Sequence, residues 1–253
     1  MIQTKNDSEK EQGYQFTDAS LIPDDVDCIL VIGGDGTIIQ AAGDVVGKNI
    51  PLLGINMGTL GYLAEVDKKN IFSALDCLLK GEYEIEERMM LEGVVYRNGE
   101  EIYRGVALND IVMNRTGNLR VIPFDIFVNG QLLNSYKADG IIVSTPTGST
   151  GYSLSAGGPI ISPNARLMEL TPICPHTLNK RSIILDPDDM VEIRISKKQM
   201  EKPVMEAVTF DGDRTIQAGE RDCIQITRAK QSTKMIKLSR VSFFETLQKK
   251  MRG

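Results

Sequence analysis

Cys28-Ile-Leu-Val-Ile-Gly-Gly-Asp-Gly-Thr37 is the stretch whose reading decides the fold of this chain. Cys28 to Ile32 run without a polar break, the mark of a parallel strand covered on both faces. Gly33, Gly34 and Gly36 then surround Asp35, and Ile38 to Val46 continues as a helix, helped by Ala41 and Ala42 and stopped at Gly47. Strand, glycine loop and helix in that order put Asp35 at the carboxyl edge of a sheet, where open α/β folds bind ligands. The glycines are more than a turn needs, and they leave the carboxylate open with backbone amides around it. The plainer alternative is a tight turn with Asp as an ordinary turn former. No Gly-Lys-Ser/Thr follows, so the loop is not a Walker A loop, and it does not match Gly-x-Gly-x-x-Gly.

Working outward, the pattern repeats. Ile50 to Ile55 reads as a second buried strand, and Asn56-Met-Gly58-Thr-Leu-Gly61-Tyr62 as a second glycine-rich exit. Asn70 to Lys80 follows as an amphipathic helix with Ile71, Leu75, Leu78 and Leu79 on one face and Gly81 as its stop. Two such units predict a Rossmann-like parallel sheet. Before them, residues 1–25 are polar and patternless apart from a short amphipathic piece at Tyr14 to Leu21.

Beyond Gly81 the texture changes to strands joined by tight turns. Asn98-Gly99 and Asn129-Gly130 are hairpin signals, and the alternation Phe124, Ile126, Val128 fits half-buried antiparallel strands. Further strands are expected near Ile183–Leu185, Val191–Ile195, Val204–Phe210, Cys223–Thr227 and Met235–Leu238. The Asp211-Gly212-Asp213 turn leads into Arg214–Gln217, and Ser242 to Met251 forms a closing helix that docks Phe243, Phe244 and Leu247. The expected organisation is an α/β domain over 1–83, a β-rich, sandwich-like domain over 84–239, and a helix over 240–253 packing back on the α/β domain.

Composition narrows the function. At 253 residues, 42% hydrophobic and 25% charged, the chain can bury a sizeable core as one large domain or two ordinary ones. A net charge of -5 argues against a general nucleic-acid or anionic-membrane binder. Neither an apolar leader nor a run long enough to span a bilayer occurs, which points to the cytoplasm. Cys28, Cys77, Cys174 and Cys223 are widely spaced with no Cys-x-x-Cys, which indicates reduced core thiols and neither zinc nor disulfides. The lone His176 leaves a carboxylate as the expected proton acceptor.

The densest polar stretch is Asp139-Gly-Ile-Ile-Val-Ser-Thr-Pro-Thr-Gly-Ser-Thr-Gly-Tyr-Ser-Leu-Ser-Ala-Gly-Gly-Pro159. A buried strand at Ile141 to Val143 gives way to hydroxyl residues and glycines that no hydrophobic core requires. Gly148 and Gly151 would let backbone amides approach a ligand, and Ser149 or Thr150 could cap a short following helix whose amides suit a phosphate. A polar loop between strands is the alternative. Tyr152 can stack on a ring or simply pack.

With Gly33–Thr37, Asn56–Gly61, Asn109-Asp110 and Asp139–Pro159 in this order, the chain resembles the bacterial-type NAD kinases from roughly Asp27 to its end. The block at Asp139–Pro159 is the specific part, since lipid kinases and phosphofructokinases carry related Gly-Gly-Asp-Gly-Thr loops. The resemblance implies transfer of the γ-phosphoryl group of ATP to the 2′-hydroxyl of the adenosine ribose of NAD, with a divalent cation, usually Mg2+. It implies an N-terminal α/β domain and a C-terminal β-rich domain with the ligand between them, and assembly as a homodimer or homotetramer. By motif position Asp35 corresponds to the general base and Gly36 lies against the nucleotide. Gly33, Gly34, Thr37, Asn56, Gly58 and Gly61 correspond to the phosphate-donor loops. Asn109 and Asp110 correspond to the pair that grips the ligand's ribose and base, and Tyr62 to an aromatic near adenine. Thr150, Gly151, Tyr152, Ser153 and Ser155 match the dinucleotide-contacting segment. Arg120, Lys137 and Asp139 fall at positions that also contact ligand, often from a neighbouring subunit.

Two departures stand out. Asp213 occupies a turn position where the family commonly has Gln. The family also opens with a strand and an Asn-x-x-Lys-type turn, and residues 1–25 hold neither, so the first strand–helix unit is missing by this reading. Two other functions compete: a lipid or sugar kinase sharing the glycine loop, and a non-catalytic NAD(P)-binding protein. A lipid kinase is disfavoured by the acidic charge and the lack of a basic or apolar membrane-facing stripe.

Overall fold

The computed structural model describes residues 2–3, 17–58, 61–117, 121–177, 180–196, 206–238 and 242–252. The chain divides into two compact units, Met1–Arg88 with Gln231–Gly253, and Met89–Lys230. Residues 231–237 thus belong with the N-terminal unit, whereas the sequence reading took the chain as far as 239 with the β-rich domain. No described helix is long and apolar enough to cross a membrane.

The first unit holds β1 (Ile29–Ile32), α1 (Asp35–Asp44), β2 (Leu52–Asn56), β3 (Val66–Asp67) and α2 (Ile71–Lys80). β2 is its centre. It is buried at every position and pairs in parallel with β1 from Ile29↔Leu52 to Ile32↔Ile55 and with β3 at Ile55↔Val66. Close packing of α1 on β2 depends on Gly54, where an added Cβ would lie 2.5 Å from Ile38 Cδ1.

Several local expectations are corrected here. β1 is not covered on both faces: Val31 is buried, but Ile32 is 59% exposed and Leu30 also stands out. Strand alternation turns these two to one side, and nothing among the described residues lies over it. α1 begins at Asp35 rather than Ile38 and ends at Asp44, so Gly47 does not stop it; the left-handed residue is Asn49, with φ 56°. The early start follows from Gly34 as N-cap and from a carboxylate in the first turn, where the helix dipole favours negative charge. α2 ends at Gly81, φ 70°, as expected. Its inner face is built on Ile71, Ala74 and Leu78, while Leu79 is 87% exposed. An i, i+3, i+7 stripe already fills the contact, and Leu79 lies beyond it.

β4 (Glu84–Arg97) leads into the second unit, which continues with β5 (Glu100–Ala107), β6 (Asp110–Arg115), β7 (Ile122–Val128), β8 (Gln131–Ala138) and β9 (Gly140–Ser144). A single helical turn, α3 (Tyr152–Ser155), precedes β10 (Met168–Ile173), β11 (Ile183–Leu185), β12 (Val191–Ile195), β13 (Glu206–Phe210) and β14 (Arg214–Ala218). Asn98-Gly99 and Asn129-Gly130 close two-residue hairpins with positive φ at both positions, the geometry those pairs favour. β15 (Cys223–Lys237) returns to the first unit, and α4 (Phe243–Met251) follows. β15 is continuous where two strands were expected. The polar run Arg228–Lys234 reads as a break, yet a strand with a solvated face accommodates it.

Two sheets form the second unit. One runs β5-β4-β15-β12-β7-β8, the other β11-β10-β9-β6-β13-β14. Their facing sides supply one core that includes Leu91, Phe124, Ile126, Ile193 and Ile226 from the first and Ile111, Met113, Val143, Leu170 and Phe210 from the second. This is the expected sandwich.

The C-terminal helix is capped by Ser242 and Glu245, each side chain bonding the other's backbone amide. Phe243 reaches Tyr62, with ring centroids 6.3 Å apart, but Phe244 is 68% exposed rather than docked. The four cysteines are free thiols; Cys28 packs against the core of the first unit, but none is fully buried and Cys174 is exposed, so the expectation of core thiols holds only in part.

Candidate functional site

In the first unit everything converges on Asp35. Its Oδ2 accepts the Tyr62 amide at 2.7 Å and its Oδ1 the Leu63 amide at 3.1 Å. The carboxylate therefore sits between the N-terminus of α1 and the chain leaving β2, with backbone amides around it as the glycine pattern suggested, but half-buried rather than open. The second glycine exit exists for this contact. A Cβ on Gly61 would fall 1.8 Å from Asp35 Oδ1, so only glycine admits the carboxylate. Gly33 is equally restricted, by Thr37, whose Oγ1 would be 2.4 Å from an added Cβ. Gly34, Gly36 and Gly58 have open space there instead. Asn56 is buried and accepts the Gly58 amide through Oδ1 at 2.9 Å, fixing the start of that loop. Tyr62 is already engaged: Lys250 Nζ lies 3.9 Å from its ring centroid, a cation–π contact from α4.

In the second unit the Leu108-Asn109-Asp110 corner meets the turn at 145–151. Thr145 donates its amide to the Asn109 carbonyl at 2.8 Å and its hydroxyl to the Leu108 carbonyl at 2.6 Å. A Cβ on Gly148 would lie 2.1 Å from the Asn109 carbonyl oxygen, so the two segments touch backbone to backbone. Gly151 faces both candidate side chains: an added Cβ would be 3.4 Å from Asn109 Nδ2 and 3.8 Å from Asp110 Oδ2. Asn109 Oδ1 is buried with no donor among the described residues reaching it, and Asp110 is itself buried. Burial, then the neighbouring Asp211 carboxylate, pushes the Asp110 carboxyl up to about 7.

The dinucleotide-segment candidates separate. Thr150 bonds the Thr147 carbonyl at 3.3 Å, while Tyr152 and Ser155 are exposed. Ser153 is fully buried and gives its hydroxyl to Thr171 at 3.1 Å, so that side chain serves the interior. The expected helix cap is not formed. α3 is one turn with Gly151 as its N-cap, and Ser149 instead bonds the Pro146 carbonyl at 2.7 Å and accepts the Ile161 amide at 3.0 Å. A single turn also offers too small a dipole to be a phosphate site. Lys137 is exposed on β8. Asp139 is held by Arg115, Nε to Oδ1 at 2.9 Å. Asp213 is exposed, and Arg120 lies outside the described residues.

Sequence reasoning passed over two residues. Asp211, in the same turn as Asp213, reaches three backbone amides of the 108–110 corner. Its signal was an Asp-Gly pair between strands, which sets the acid at positive φ (52°) and turns it inward. Glu169, fully buried in β10, accepts hydroxyls of Ser144 at 3.1 Å and Thr171 at 2.8 Å beneath α3. Its signal was a charged residue within the apolar run Met168–Ile173.

Comparison with known proteins accounts for both halves. The ATP-NAD kinase N-terminal domain matches residues 3–83, and the ATP-NAD kinase C-terminal domain matches residues 108–238. An NAD kinase of Lachnospira eligens is 48% identical over 245 residues, covering 93% of this chain and 84% of that protein. Among solved structures, yeast NADH kinase complexed with NADH superposes with a TM-score of 0.80 at 27% identity, over 91% of this chain and 69% of that one. An NAD kinase from Archaeoglobus fulgidus in complex with ATP gives 0.72 at 25% identity, over 90% and 84%. Matched in both domains and along nearly its whole length, the chain belongs to the NAD kinase family.

Proposed function

We propose that this chain phosphorylates the 2′-hydroxyl of the adenosine ribose of NAD, taking the γ-phosphoryl group of ATP and releasing NADP and ADP. The observation that carries the reading is the Asn109-Asp110 corner. An amide with an unmet acceptor and a buried carboxylate sit side by side against glycine backbone, a donor-and-acceptor next to an acceptor. That pair suits a ribose diol and a base edge. Relatives named for NAD kinase activity, and solved neighbours holding NADH and ATP, support the same substrates.

Asp35 is the base in this reading. Each of its oxygens already accepts one amide hydrogen, which fixes the carboxylate in place, and each retains lone-pair capacity for the ribose hydroxyl. Positioned base help of this kind contributes ~10²–10⁴-fold. The glycine amides near the start of α1 offer donors to phosphoryl oxygens as their charge redistributes.

A divalent cation belongs to the reading as well. Among the described residues no three His, Cys, Asp or Glu side chains form a metal cage. Mg2+ needs none, because it is bound by one or two carboxylates together with substrate phosphates. The ion would sit mainly on the substrate phosphates and neutralise their charge, which leaves Asp35 to act as the base. Assembly as a homodimer or homotetramer is part of the same reading, supported by exposed Leu132 and Leu133 on β8.

Incubation with NAD, ATP and Mg2+, with NADP read by an NADP-specific dehydrogenase, tests the activity. NADP formation that falls by ~10²-fold or more in Asp35→Asn, with NAD binding kept, is the expected result. Binding of NAD without turnover by the unaltered chain would instead identify a non-catalytic member.

A further inference from the structure

The turn between β13 and β14 contains a residue with more work than a hairpin requires. Asp211 Oδ2 accepts the Leu108 amide at 2.7 Å, and Oδ1 accepts the amides of Asn109 at 2.7 Å and Asp110 at 3.1 Å. Its own amide donates to the Asp110 carbonyl at 3.0 Å. Successive amides converging on one point form an anion-binding nest, of the kind that usually receives a phosphate. Here the chain fills the nest with its own carboxylate, on the residues that precede and begin β6.

We propose that Asp211 is a positioning residue for the dinucleotide: by occupying the nest of Leu108, Asn109 and Asp110 it presets the Asn109 amide and the Asp110 carboxylate before ligand arrives. This rests on reading Asn109 and Asp110 as the pair that grips the ligand. Three bonds to consecutive amides fix the backbone dihedrals from which both side chains leave, and ordering the pair in advance removes that cost from binding. The nest also settles which acid keeps its charge. Burial pushes Asp211 up to about 6, but three amide bonds and Arg214 act to hold it ionised. Asp110 has burial and the Asp211 charge both against it and rises further, to about 7. Asp110 is therefore the acid that sheds its proton when ligand hydroxyls arrive, and Asp211 is the fixed support.

The test compares the unaltered protein, Asp211→Asn and Asp110→Asn, measuring KM for NAD and for ATP and NAD affinity by calorimetry from pH 5.5 to 8.5. Asn offers one acceptor oxygen and turns an NH2 toward amide donors. Asp211→Asn is expected to raise KM for NAD by ~10–100-fold with KM for ATP within about twofold. NAD affinity of the unaltered protein should rise with pH through about 7, and in Asp211→Asn that midpoint should move to lower pH, because the like charge beside Asp110 is gone. A merely structural residue would lower stability and change the two KM values alike. Parallel changes in the two KM values, or an unmoved midpoint, would overturn the proposal. Unchanged NAD affinity in Asp110→Asn would bring down the reading of the grip itself.

Should Asp211→Asn fail to fold, amide exchange in the unaltered protein decides. After correction for intrinsic rates, Leu108–Asp110 should lose protection as pH falls through about 6, where Asp211 protonates. Protection unchanged across that range would refute the nest's dependence on the charge.

Discussion

Gly61→Ala is the sharpest probe of the catalytic assignment because it alters no titratable group. The new methyl would stand 1.8 Å from Asp35 Oδ1, 2.3 Å from Cγ and 2.6 Å from Oδ2, where ordinary contact begins near 3.4 Å. The carboxylate must therefore retreat by roughly 1.5 Å, a displacement of the size that costs ~10²-fold in rate when it affects a reacting group. Retreat also strains its bonds to the Tyr62 and Leu63 amides, charged hydrogen bonds of ~1.5–3 kcal/mol each. The expected result is a fall in kcat of ~10²–10⁴-fold, with KM for NAD changed only severalfold, since Asn109 and Asp110 are untouched. Steady-state NADP formation over a range of NAD concentrations measures both. Gly43→Ala is the control: it lies in α1 with open space at its Cβ, so activity should persist. A Gly61→Ala enzyme with kcat within about twofold of the unaltered one would refute Asp35 as the base held at this position.

Three further outcomes are expected. Gly43→Ala should stabilise the protein by ~0.5–1 kcal/mol, read as a higher urea midpoint, because alanine restricts the unfolded chain at a helical position. Asp110 has a folded-state value raised above its unfolded one, so its contribution to stability is present at low pH and lost as pH rises from about 4 to about 7. Thermal melts without ligand should show that loss, and Asp110→Asn should flatten it. Glu169→Gln should cost ~1–3 kcal/mol, since an NH2 would face a hydroxyl that now donates to the carboxylate; an unchanged denaturant midpoint would show that the buried network re-forms.

What the sequence disclosed followed from how local each signal is. The two hairpins were legible because Asn-Gly pairs require positive φ at adjacent residues, and the structure has it at 98–99 and 129–130. The parallel pairing of β1 with β2 was legible from two apolar runs each followed by a glycine-rich exit. The start of α1 was misjudged because the glycines around Asp35 read as loop, when Gly34 is an N-cap and Asp35 already helical. Coverage of β1 was misjudged for a different reason. An apolar run shows what a strand can bury, whereas what lies across it is decided by other elements.

The candidate site divides along the same line. Gly61 and Asp35 are 26 positions apart, and nothing in either motif announces that one was emptied to admit the other; only the 1.8 Å approach reveals it. Asp211 is still further from the residues it holds, 101 to 103 positions along the chain. In the turn Asp211-Gly212-Asp213, Asp213 is the residue whose type departs from the resemblance. Yet residue type at an exposed turn position constrains little, whereas an acid followed by glycine at a strand end is held at positive φ and aimed back at the sheet. In this chain that direction leads to β6, where three amides meet the carboxylate and determine what Asn109 and Asp110 can reach.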